Sequence, residues 1–196
     1  MAATVAYLSL GSNVGERLDT LMSAVFSLDE TDGIAVEETS GVYETEPWGE
    51  ADQPSFYNLA VRIRTTLTPR ELLEELHLTE AAMGRDREQE ARWGPRTLDI
   101  DILLYGDLQM DEPDLTIPHP RMTERAFVLV PLLEIMPGGE LPDGTRLTTH
   151  LQALTPIDGI DLVLRVDELP SASRVTRPEG PRSPRAYFGD DVGGNS

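Results

Sequence analysis

The chain has 196 residues, 39% of them hydrophobic, with no cysteine and a formal net charge of −19. That composition suffices for one domain with its own core, and it excludes a disulfide framework, a thiol nucleophile and a thiolate zinc site. All 16 basic residues are arginine, against 35 acidic ones. This excludes broad binding to duplex phosphates, while capture of a small anion by a local arginine cluster stays compatible. The N-terminus, MAATVAYLSLGSN, lacks the basic region and cleavable apolar segment of a signal peptide, and no apolar run approaches the ~20 residues that span a bilayer. The expectation is a cytoplasmic monomer with small-molecule partners, no nucleic acid and no membrane.

The first predicted strand is TVAYLSL, residues 4–10, broken by GSNVG. A helix follows from Arg17 to Leu28, with Leu18, Leu21, Met22, Val25 and Phe26 on one face. GIAVEETSGVYET supplies further strand material, and after the loop EPWGEADQPS the stretch FYNLAVRIRTT alternates Leu59, Val61 and Ile63 with Arg62 and Arg64. Thr68, Pro69 and Glu71 predict a capped helix start, and Gly84 its end. An arginine-rich loop then leads into the strand TLDIDILLYG. The order β-α-β-β-α-β predicts an α+β, ferredoxin-like core: an antiparallel sheet with both helices on one face, followed by C-terminal additions. Those additions are a DLQM…DLTIPHP excursion, a helix RAFVLVPLLEI, a turn at PDGT and a last strand GIDLVLRV. Residues 1–170 form the expected folded domain. Residues 171–196, rich in Pro, Ser, Gly and Arg, read as a disordered tail.

Asp99 and Asp101 stand two apart on a strand, so both carboxylates project from one face, ~7 Å apart at Cβ, while Leu98, Ile100 and Ile102 enter the core. Oxygen ligands of this kind suit Mg²⁺, which takes one or two carboxylates plus phosphate oxygens and water. A lone D-x-D is more often a solvated strand face. Here it follows Arg85, Arg87, Arg92 and Arg96, whose forks match phosphate oxygens. Cations leading into metal-binding carboxylates fit a nucleoside triphosphate, although Glu88 and Glu90 could equally neutralise a static charged loop. His119 lies between two prolines, with Arg121 and Arg125 after it at four-residue spacing. Trp48, Phe56 and Phe127 could stack on a flat heterocycle and Asn58 could read its edge; each alone reads equally as a core residue.

Taken together, RWGPRTLDIDILLYGD and, some twenty residues on, IPHPRMTERAFVLVPL closely resemble the 6-hydroxymethyl-7,8-dihydropterin pyrophosphokinases of folate biosynthesis. AYLSLGSNVGER, DQPSFYNLAV and MGRDR resemble that family's other landmarks in the same order, over roughly residues 4 to 166. The resemblance implies ATP and pterin as substrates and two Mg²⁺ ions held by Asp99 and Asp101. It places Glu80, Arg85, Arg87, Arg92, Arg96, His119, Arg121 and Arg125 around the nucleotide, with Arg92, Arg96, Asp99 and Asp101 carrying catalysis. It places the pterin between Phe56 and Phe127, hydrogen-bonded by Asn58 and by groups near Thr45 and Trp48, with Asp99 also among the substrate-binding residues. In this reading the arginine loop is a lid: Arg96 is pre-placed, and Arg85, Arg87 and Arg92 meet the triphosphate on closure. Two other modules share this element order. An RNA-binding domain would need exposed sheet aromatics and a basic surface; a silent ATP or pterin sensor would need only the pocket.

Overall fold

Residues 2–47, 53–86 and 95–165 are described by the computed structural model of the chain. Strand β1 (Thr4–Ser12) shows why the sheet is central. Its even positions Ala6, Leu8 and Leu10 are fully buried against one face, and Tyr7 packs against the other. β4 (Phe56–Thr65) repeats the division, with Leu59, Val61 and Ile63 on the first face and Ala60 on the second. The period of two thus feeds two separate cores.

The first core is closed by α1 (Arg17–Asp29), through Leu21, Ala24 and Leu28, and by α2 (Pro69–Ala82), through Leu72 and Leu76. Both predicted helices do lie on one face. α2 starts in the predicted capping box: Thr68 Oγ1 accepts from Glu71 N, and Glu71 Oε2 accepts from Thr68 N at 2.7 Å. The second core belongs to α3 (Ala126–Ile135) and α4 (Leu147–Ala153), which bury Val128, Leu129, Leu132 and Leu147 against Leu103 and Leu104.

The six-stranded sheet runs β5 (Asp99–Tyr105), β1, β4, β3 (Val42–Thr45), β8 (Ile160–Leu164), with β2 (Ile34–Thr39) also paired to β4. Every pairing is antiparallel, as the ferredoxin-like order requires. β6 (Met110–Glu112) and β7 (Leu115–Ile117) form a separate hairpin.

Two features depart from the sequence reading. The stretch 34–45 is two strands side by side in succession along β4, parted at Ser40–Gly41. A Cβ at Gly41 would lie 2.7 Å from Leu162 Cδ1 and 2.9 Å from Leu164 O, so only glycine lets β8 close on β3. α4 was not expected: its seven residues carry no side-chain cap and one buried residue, Leu147, too weak a pattern to register as a helix. Among the described residues no helix is long and apolar enough to cross a membrane. The tail 171–196 lies outside the described residues.

Thr68→Ala should remove the α2 cap and lower the unfolding free energy in urea by about 1 kcal/mol with an unchanged slope. An unshifted midpoint would show that tertiary packing alone holds this end.

Candidate active site

On the α3 side of the sheet, the strand ends beyond the helix are left uncovered, and there the polar residues converge. Asp99 and Asp101 project from β5 onto this face, while Ile100 and Ile102 are 2% and 3% exposed in the opposite core. Across the ladder Asp101 stands opposite Ser9, and Asp99 opposite Gly11, which in turn faces Asn58. Small residues make this floor. A Cβ on Gly11 would sit 3.0 Å from Asn58 Oδ1 and 3.8 Å from the Phe56 ring, filling the cleft.

Asp99 is held on both oxygens. Arg85 Nη1 donates to Oδ1 at 2.6 Å and Arg96 Nη1 to Oδ2 at 2.8 Å. Behind Arg85 stands Glu80, fully buried in the last turn of α2, whose Oε1 accepts from Arg85 Nη1 at 2.5 Å and from Ile100 N at 2.8 Å. Burial by itself raises the Asp99 pKa, but Arg96 and Arg85 outweigh it and hold the carboxyl below its ordinary range. Asp101 responds in the opposite sense. Burial, then the Asp99 charge, push it from 3.8 up to about 7, with Arg125 opposing. His119 Nε2 lies 3.8 Å from Asp101 Oδ2. Its Nδ1 accepts from Arg121 N at 3.2 Å, which leaves the proton of the neutral ring on Nε2. Burial, with Arg125 next, lowers the His119 pKa to about 4, so the ring is neutral at physiological pH.

The other half of the pocket is lined by Phe56 and Phe127, with Thr45 and Asn58 beneath. Asn58 Nδ2 donates to Thr45 Oγ1 at 2.7 Å, fixing the amide so that its Oδ1 is the end towards Gly11. Arg125 lies 5.6 Å over the Phe127 ring and also lines the pocket. A second pocket opens at the outer edge of β5, between Leu73 and His77 of α2 and Leu115 and Thr116 of the hairpin; Asp101 lines both pockets, and His119 lines the second.

Thr45, Phe56, Asn58, Arg96, Asp99, Asp101, Arg125 and Phe127 converge on the first pocket and His119 on the second, and two expectations need correction. Arg85 was expected on the mobile part of a lid; its side chain is 6% exposed and pinned between Glu80 and Asp99. Glu80 was expected beside the nucleotide; with its side chain 1% exposed and its Oε1 occupied internally, it acts as a strut. Arg121 enters through its backbone N–H to His119. Trp48, Arg87 and Arg92, and with them Glu88 and Glu90, lie outside the described residues.

Sequence reasoning missed two positions. Asn13 is 2% exposed: it donates to Arg96 O at 3.1 Å, accepts from Arg96 N at 2.7 Å, and donates through Nδ2 to Gln53 Oε1 at 3.2 Å. It ties the arginine segment to the opposite wall, and a polar residue closing a buried strand was its only signal. Arg17 donates to Ser55 O at 2.7 Å and Glu44 Oε1 at 3.1 Å and stacks on Tyr57 at 3.8 Å. As the first residue of a helix it gave no sign of this.

The carboxylate pair fits a hard divalent cation. Among the described residues no group of three or more His, Cys, Asp or Glu gathers, so two carboxylates would leave the remaining positions to phosphate oxygens and water, as Mg²⁺ prefers. A ferredoxin-like sheet bearing such a pair, flanked by guanidinium groups and facing an aromatic slot, defines a nucleotide-dependent transferase. The sequence model of 7,8-dihydro-6-hydroxymethylpterin-pyrophosphokinase (HPPK) matches residues 7–137, and the chain belongs to this family. It is 52% identical over 141 residues, 70% of this chain and 88% of the other, to the 2-amino-4-hydroxy-6-hydroxymethyldihydropteridine pyrophosphokinase of Methylorubrum extorquens. It is 49% identical over 131 residues, 67% of this chain and 77% of the other, to the Bacillus subtilis protein of the same name. The fold is similar to Plasmodium falciparum HPPK-DHPS crystallised with pteroate, at a TM-score of 0.61 and 17% identity, over 77% of this chain and 42% of that longer one.

The Asp101 carboxyl should titrate near pH 7 in the metal-free protein by NMR. Because its folded pKa lies above its unfolded one, its contribution to stability is greatest below pH ~4 and falls as pH rises to ~7. Asp101→Asn should remove that component from the melting temperature's pH dependence, and a carboxyl titrating near 4 would contradict a rise caused by burial and the Asp99 charge.

Proposed function

We propose that the chain transfers the pyrophosphoryl group of ATP to the hydroxymethyl oxygen of 6-hydroxymethyl-7,8-dihydropterin, releasing AMP, as a step of folate biosynthesis. The observation that carries this reading is the position of Asp101, shared by an aromatic pocket and a second pocket at the edge of β5. The pterin occupies the first, stacked between Phe56 and Phe127, with Asn58 Oδ1 accepting from its amide edge. The nucleoside occupies the second, and the triphosphate crosses between them over Asp99 and Asp101.

The hydroxymethyl oxygen attacks the β-phosphorus in line, the bond from that phosphorus to the α-bridging oxygen breaks, AMP leaves, and the hydroxyl proton is released. There is little covalent work for the protein, so positioning and charge neutralisation dominate. Arg96, backed by Asn13, faces the phosphates from a fixed position. Arg125 approaches from the N-terminal end of α3, His119 borders the second pocket, and Arg121 is assigned to the nucleotide. Arg87 and Arg92 follow Arg85 in sequence and are assigned to the triphosphate; Trp48 is assigned to the pterin rim. Two Mg²⁺ ions held by Asp99 and Asp101 would neutralise the triphosphate and polarise the attacked phosphorus. We assign the chain as a monomer. A cytoplasmic location and a dispensable tail after residue 170 complete the assignment.

AMP should form from ATP only when the pterin and Mg²⁺ are both present. Asp99→Asn or Asp101→Asn should cut that turnover about a hundredfold or more while the protein stays folded. Binding of ATP and pterin without AMP formation would instead define a silent sensor, and near-normal turnover in either variant would remove the carboxylates from the mechanism.

A further inference from the structure

Arg70, in the first turn of α2, lines neither pocket. Its guanidinium joins the helix to the end of β6 and to the turn of the β6–β7 hairpin. Nε donates to Glu112 Oε2 at 2.9 Å, Nη2 reaches the same oxygen, and Nη1 and Nη2 fork onto Asp114 Oδ2 and Oδ1 at 2.5 and 2.7 Å. Glu112 ends β6, and Asp114 occupies the turn before β7. The hairpin forms no ladder with the main sheet; its strands pair only with each other. It is fastened by Leu115 and Ile117, buried in the core, and by this fork.

The second pocket lies between the elements that Arg70 joins. One wall is Leu73 and His77, three and seven residues further along α2, and the other is Asp114, Leu115 and Thr116 of the hairpin. We propose that Arg70 is a positioning residue that sets the width of the nucleoside pocket by holding the hairpin to α2. The inference rests on the assignment of that pocket to ATP. A planar guanidinium satisfying two carboxylates at once fixes both distance and orientation, which a lysine point charge does not. The three side chains are 40%, 42% and 64% exposed. Exposed pairs of this kind contribute little to global stability, so the network is expendable for folding and matters for where the hairpin sits.

The test is steady-state kinetics on the full chain. Arg70→Ala should raise KM for ATP about fivefold to tenfold, leaving kcat at saturating ATP and KM for the pterin within about twofold of wild type. Arg70→Lys should not restore the lost affinity. Glu112→Gln combined with Asp114→Asn should reproduce the rise, and Arg70→Ala added to that pair should cause no further loss. If Arg70→Ala does not fold, the Glu112/Asp114 pair carries the test alone. An unchanged KM for ATP, or a parallel loss of kcat and both KM values, would overturn the proposal. Thr116→Trp, which fills the pocket, separates this from the parent reading. If it raises KM for ATP while Arg70→Ala does not, the clamp fails and the pocket assignment stands. If Thr116→Trp leaves ATP unaffected, the pocket assignment fails and the clamp with it.

Discussion

Asp99 is a half-buried carboxylate kept ionised by two guanidinium groups, and much of the structure serves that arrangement. An uncompensated charge there would be costly. Arg85 and Arg96 each commit a donor to it, so neither is free to wander. Glu80 takes up the remaining charge of Arg85 and, by accepting from Ile100 N, fixes the start of β5 to the end of α2. The helix whose capped start is at Thr68 thus ends by locating the strand that bears the carboxylates.

The same constraint explains the asymmetry of the aspartate pair. Asp99 receives the cations, so Asp101, two residues on, experiences mainly burial and its neighbour's negative charge. In the folded protein without metal, the second carboxyl is therefore pushed well above the ordinary carboxylate range, to about 7. A divalent cation binding this pair must displace the proton that Asp101 retains, so its apparent affinity rises with pH through that range. The neutral His119 beside it adds no opposing charge that a metal would have to overcome.

The alternation in DIDI, with apolar residues at Leu98, Ile100 and Ile102, placed the carboxylates on one face from the sequence alone, because period two leaves no other choice on a strand. The Thr68–Glu71 cap and the β-α-β-β-α-β order were equally legible, being local chemistry and connectivity. Arg85 was misjudged because its nearness in sequence to a glycine suggested mobility, while its restraint comes from Glu80, five residues back on a helix, and Asp99, fourteen residues on. Asn13 and Arg17 escaped for the same reason: their partners lie 27 to 83 residues away. Gly11 was invisible as a floor residue until its cross-strand partners were known.

Displacement of the Asp101 proton is the central physical claim for the site, and calorimetry measures it directly. Mg²⁺ with a non-hydrolysable ATP analogue, premixed and titrated into the protein at pH 6 in two buffers of different ionisation enthalpy, should release roughly one proton per site, and Asp101→Asn should abolish that release. Binding of equal strength with no proton released from the wild-type protein would contradict the account.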